Sequence, residues 1–147
     1  PGFDGAGLPL GSEPIGLIDF NGKLAFLAYT DATGYELWIS GGTSGTTHMV
    51  RDINETSTSS YGLNFGGNVG PLEIARVKDV VVIGRYMYFT ATDSAHGHEL
   101  WKTDGSYSGT TLVSDIYIGG GGIGGAGHGD PRDLARVGDE FYFSANS

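Results

Sequence analysis

Three short stretches of the chain place apolar residues at every second position, and they resemble one another. They are Leu24-Ala25-Phe26-Leu27-Ala28, Met87-Tyr88-Phe89-Thr90-Ala91 and Phe141-Tyr142-Phe143-Ser144-Ala145. Successive side chains of a β-strand point to opposite faces, so this alternation predicts strands. The side carrying Phe26, Phe89 and Phe143 is apolar throughout and ends in a small alanine, which marks it as a core face. The opposite side is mixed: Ala25 and Leu27, Tyr88 and Thr90, Tyr142 and Ser144. A sheet packed on both faces, more loosely on the second, would produce this pattern. No segment sustains a helical period.

A second similarity fixes the spacing. Glu36-Leu37-Trp38 recurs as Glu99-Leu100-Trp101, an offset of 63 residues. At that offset Gly42, Thr47, Val50, Asp52 and Ile53 meet Gly105, Thr110, Val113, Asp115 and Ile116. Upstream, Pro14 and Leu17 are spaced like Pro131 and Leu134. The middle copy offers Pro71, Ile74 and Val77, which puts its first strand there and makes Val80 to Arg85 an insertion. Asn21-Gly22, Gly41-Gly42 and Asp104-Gly105 supply turns between strands. Each unit then holds a Pro-x-x-Leu strand, a Phe strand, a Glu-Leu-Trp strand and a last strand ending at Ile53 or Ile116. The prediction is an all-β chain of antiparallel four-stranded repeats about 60 residues long, blades of a partial β-propeller. The chain is one repeat region, with units over residues 1–54 and 55–117 and an incomplete third over 118–147.

Composition narrows the picture. Glycine accounts for 27 of 147 residues, which favours turns and long loops over helices. The net charge of −9, with no Lys/Arg cluster, argues against nucleic acid as a partner. The absence of cysteine removes disulfides, Cys-based zinc sites and thiol catalysis together. No apolar run approaches the roughly 18 residues of a membrane helix.

The stretch Glu99-Leu100-Trp101-Lys102-Thr103-Asp104-Gly105-Ser106, followed by Gly109-Thr110 and by Val113-Ser114-Asp115-Ile116, resembles the ELWxxDGT repeat family. The family follows its Asp-Ile pair with Pro-Gly, and the chain opens on Pro1-Gly2. The resemblance implies propeller-like repeats of large secreted or cell-surface proteins, with no catalytic activity. It makes Glu36, Leu37, Trp38, Asp52, Glu99, Leu100, Trp101, Asp104, Gly105 and Asp115 the structural motif residues. The first copy departs from the pattern with Gly41 where the family has Asp, which puts the turn aspartate's role there in doubt. The third copy stops at Ser147, before its Glu-Leu-Trp strand. The chain therefore reads as a piece of a longer parent, or as one of several copies that assemble, because open sheet edges invite pairing.

Candidate chemistry is sparse. Asp31, Asp93 and Asp104 lie in turns, where their oxygens would suit calcium, although turn aspartates more often cap their own backbone. His96, His98, Glu99 and Asp93 sit close in sequence, with His128 in the next loop, but the first copy holds no histidine there. Trp38 and Trp101 would serve glycan stacking if exposed and packing if buried; fixed repeat positions favour packing. Glu36 and Glu99 share a strand face with their Trp, which would suit a buried or rim ion pair. The loops at 54–70 and 117–130 are long enough to carry contacts, and Asn54-Glu55-Thr56 is a glycosylation sequon if the source is eukaryotic. No catalytic arrangement is present, and no cofactor beyond calcium is implied. The expected function is a structural and interaction module of an extracellular or cell-surface protein. Its partners would be other copies or the rest of its parent. A ligand-binding propeller, for glycan or calcium, is the alternative, and an enzyme is less expected.

Overall fold

A tight two-residue turn opens each sheet of this chain, and longer turns make the later reversals. The computed structural model describes residues 11, 14–30, 32–53, 80–93, 95–116 and 129–146, and these form three antiparallel sheets. The first sheet runs β1 (Ile15–Phe20), β2 (Lys23–Thr30), β3 (Gly34–Ser40) and β4 (Thr47–Arg51). The second runs β5 (Val80–Ile83), β6 (Tyr86–Asp93), β7 (Gly97–Thr103) and β8 (Thr111–Ser114). The third is the pair β9 (Arg132–Val137) and β10 (Glu140–Ser144). In every sheet sequence neighbours are spatial neighbours, so each is a meander. Asn21 and Gly22 both take positive φ, 53° and 78°, as a type I′ hairpin turn requires, and in the second sheet Gly84 takes positive φ, 57°, at the first position of its turn.

The second sheet corrects one expectation. Its first strand is Val80–Ile83, inside the stretch that the sequence spacing predicts to be an insertion; Pro71, Ile74 and Val77 lie outside the described residues. Ile83 therefore matches Phe20 at the same offset of 63 that relates the two Glu-Leu-Trp strands. The physical reason is burial on both sides. Val80 and Val82 join the core toward the first sheet, while Val81 and Ile83 join the cluster toward the third. Such a strand needs no polar face and shows no alternation.

Strand register sorts the side chains into two faces. Phe26 pairs Trp38 and Phe89 pairs Trp101, so each Phe shares a face with its Trp. Leu27 pairs Leu37 on the opposite face, and Thr90 pairs Leu100. The sheets do not meet Phe face to Phe face. The Leu face of the first sheet, with Ala25, Leu27, Leu37 and Ile39, packs on the Phe face of the second, with Met87, Phe89, Ala91 and Trp101. The Leu face of the second, with Val81, Tyr88 and Leu100, packs on Leu134 and Phe141 of the third. The Tyr88 and Phe141 rings lie 4.5 Å apart.

This order corrects the expected core. Phe89 is fully buried, Phe26 is only half-buried, and Phe143 is 39% exposed. The mixed face of the first sheet is its buried one: Ala25 and Leu27 are 1% and 0% exposed. A phenylalanine is fully covered where a preceding sheet lays its Leu face over it, and among the described residues no sheet does so for Phe26. Phe143 belongs to a sheet of two strands, so its cover is partial. Truncating Phe89 to Ala should cost about 3–5 kcal/mol through the cavity it leaves. Phe26→Ala and Phe143→Ala should each cost about 1–2 kcal/mol, in proportion to the smaller area they bury. Urea unfolding measures all three, and equal losses would contradict the stacking order.

Candidate functional site

The Glu-Leu-Trp strand carries the most motif residues, and alternation sends its members to different tasks. Leu37 and Leu100 are each 1% exposed and sit on the Leu faces of their sheets. Glu36 and Glu99, one position earlier, are both fully buried on the Phe faces. A buried carboxylate must be compensated by hydrogen bonds or a partner charge. Glu99 accepts from the backbone N–H of Ile116 at 3.1 Å and of Gly129 at 3.0 Å. Ile116 closes the second sheet and Gly129 opens the third, so one carboxylate clasps the junction. The backbone adds Asp130 N–H to His98 O at 3.2 Å and Asn146 N–H to Gly129 O at 2.7 Å. A Cβ on Gly129 would lie 2.6 and 2.8 Å from the Glu99 oxygens, so only glycine lets the chain approach. Glu36 repeats the first half, accepting from Ile53 N–H at 3.3 Å. Their place beside the Trp on one strand face would suit a buried or rim ion pair; Glu99 binds backbone amides.

Trp101 is 5% exposed within the first interface, whereas Trp38, on the Phe face of the first sheet, is half-buried. Arg51, at the end of β4, reaches across that interface. Its guanidinium donates to Thr110 O at 2.8 Å and lies 5.9 Å from the Trp101 ring centroid and 5.0 Å from that of Tyr107. Sequence analysis missed Arg51. The second copy has Ser114 at the matching position, so a search for identities passes over it.

The Asp-Gly turn shows how the repeat absorbs change. In the second sheet Thr103 and Thr110 share a hydroxyl hydrogen bond of 2.7 Å, and Gly105 N–H donates to the Thr103 hydroxyl at 2.9 Å. Gly105 has φ of 91°, a conformation that favours glycine. The first sheet repeats this with Ser40, Thr47 and Gly42 at 2.6 and 3.1 Å. Asp104 accepts from Ser106 N–H at 3.1 Å and from its hydroxyl at 2.7 Å. Those bonds hold its carboxyl below the usual range. Its side chain lies over Gly109, where any Cβ would collide with it. In the first sheet Gly41 replaces the aspartate and Thr46 replaces the glycine. Thr46 Oγ1 then accepts from Thr43 N–H at 3.2 Å, the equivalent of Ser106. The oxygen arrives from the other side of the turn. The missing aspartate of copy one is thus compensated.

The hairpin before the motif strand follows the same logic. Asp93 accepts from Ala95 N–H at 2.9 Å and His96 N–H at 2.6 Å, and contacts His96 Nδ1 at 2.7 Å. That last bond raises the His96 pKa above the ordinary imidazole value. Thr30 caps Thr33 in the first sheet at 3.1 Å. Asp93 and Asp104 therefore use their oxygens as turn caps. His98 Nδ1 meets the Thr92 hydroxyl at 3.0 Å. Asp52 and Asp115 are half-buried after β4 and β8. Among the described residues no three His, Asp or Glu side chains converge on a metal-sized site. Asp31, Asn54, Tyr61 and His128 lie outside the described residues. No helix among the described residues is long and apolar enough to cross a membrane.

Compared with family models, curated proteins and solved structures, the chain matches none.

Glu99→Ala strands two amides at the junction. Each buried donor left without an acceptor costs about 1–3 kcal/mol, so a loss of about 2–5 kcal/mol in urea unfolding is expected. A loss below about 0.5 kcal/mol would show the clasp is dispensable. The turn swap is tested by a double-mutant cycle. Gly41→Asp alone crowds Thr46, and Thr46→Gly alone removes an acceptor. Together they rebuild the Asp104 arrangement, so the pair should be more stable than the sum of the singles by about 1 kcal/mol. Strict additivity would show that the two positions are independent.

Proposed function

We propose that the chain is a structural and interaction module, built of propeller-like repeats of the ELWxxDGT kind, within a larger extracellular or cell-surface protein. The observation that carries this is the repeated interface: twice in the chain a Leu face covers the Phe face of the next sheet. Units that cannot bury their own faces gain stability only from neighbours, which is the logic of repeat arrays. The residues best suited to chemistry are spent on that stacking. Glu99 holds a junction, and Trp101 and Arg51 fill an interface. Partners are other copies of the chain or the remainder of its parent. The net charge of −9 sets it against nucleic acid. A glycan-binding role would need exposed aromatic rings: Trp101 is covered, while Tyr107 is 61% exposed and lies against the Arg51 guanidinium.

The test is a tandem of two copies joined by a flexible linker. Coupled modules should raise the urea midpoint of the tandem above that of the single chain. An unchanged midpoint would mark a self-contained domain and overturn the proposal. An antibody against the chain should also label intact cells of the source, and labelling only after permeabilisation would overturn the extracellular assignment.

A further inference from the structure

We infer that the partly exposed Phe face of the first sheet docks the exposed far face of the third sheet of a second copy, joining chains head to tail. The docking rests on the stacking-module function proposed above. Its first support is continuity. The same pairing of faces forms both internal interfaces, and among the described residues no further sheet lies on the Phe face of the first sheet or on the far face of the third. On the first sheet Leu24, Phe26 and Trp38 share the Phe face by register, and Leu17 adjoins them by alternation. On the third sheet Tyr142 pairs Ala135, and Val137 pairs Glu140, on the side away from the second sheet.

The second support is where exposed apolar surface lies. The exposed large hydrophobics among the described residues are Leu17, Leu24, Tyr107, Val113, Val137, Tyr142 and Phe143. Leu17 and Leu24 lie on the Phe face of the first sheet, Val137 and Tyr142 on the far face of the third, and Phe143 on the face turned to the second sheet. Leu17 and Tyr142 are 59% and 56% exposed, on opposite ends. Apolar surface gathered at complementary ends marks an interaction site. The contact uses different patches on the two chains, so it is heterologous and propagates. The chains are like-charged at −9, so salt should strengthen the association by screening.

Sedimentation of the whole chain over a concentration series reads this directly. Wild type should show a mass that rises with concentration beyond a dimer, more so at high salt. Leu24→Glu and Tyr142→Glu alter exposed side chains, and circular dichroism should report folded sheets for both. Each should weaken self-association about tenfold or more, because a charge enters an apolar contact. Each variant keeps one working end, so their equimolar mixture should form 1:1 complexes and nothing larger. A wild type that stays monomeric at every concentration overturns the inference. So does a Tyr142→Glu variant that associates like wild type, which would mean that first sheets pair with each other. If the chain is monomeric while the tandem is still stabilised, the copy-to-copy partner is wrong and the module function stands. If the tandem also gains nothing, both fail.

Discussion

A strand has two sides, and in these sheets both of them carry apolar residues. That constraint governs the rest of the structure. The second sheet buries Phe89 on one face and Thr90 and Leu100 on the other, and needs a neighbour on each. It has both. Among the described residues the first sheet has a neighbouring sheet on its Leu face only, and Phe26 and Trp38 on its Phe face are half-buried. Burial differences among matching residues therefore report position in the stack, since matching strands share the same register.

Stacking in a fixed order requires each sheet to be held at a set approach to the next. The buried Glu99 carboxylate does this by binding one amide from the end of its own sheet and one from the start of the following one. Arg51 adds a second link, across the first interface, with its charge spread over two aromatic rings and one carbonyl. The turns keep their geometry through changes of residue. Thr46 over Gly41 and Asp104 over Gly109 deliver an oxygen to the same amide from opposite ends of the turn. What the repeat preserves is the position of an acceptor.

Much of this was legible in the sequence because it is local. The alternation around Phe26, Phe89 and Phe143, the Asn21-Gly22 turn and the offset of the Glu-Leu-Trp strands each depend on a few neighbouring residues. The strand at Val80–Ile83 was hidden because a run buried on both sides has no alternation to read. The order of the faces was hidden because alternation divides a strand into two sides without saying what covers either. The role of Glu99 was hidden because its partners are backbone amides, which every residue but proline carries; only Gly129, whose missing side chain makes room, leaves a trace.

Proton–proton cross-peaks in nuclear magnetic resonance would decide whether the sheets stack Leu face on Phe face. A Cβ at Gly105 would lie 3.0 Å from the Ile39 Cδ1 methyl, so this methyl and the Gly105 α-protons should give a strong cross-peak. Tyr88 and Phe141 ring protons should give another, and the rings of Phe26 and Phe89 should give none. A direct Phe26–Phe89 cross-peak, with the Ile39–Gly105 signal missing, would contradict the account.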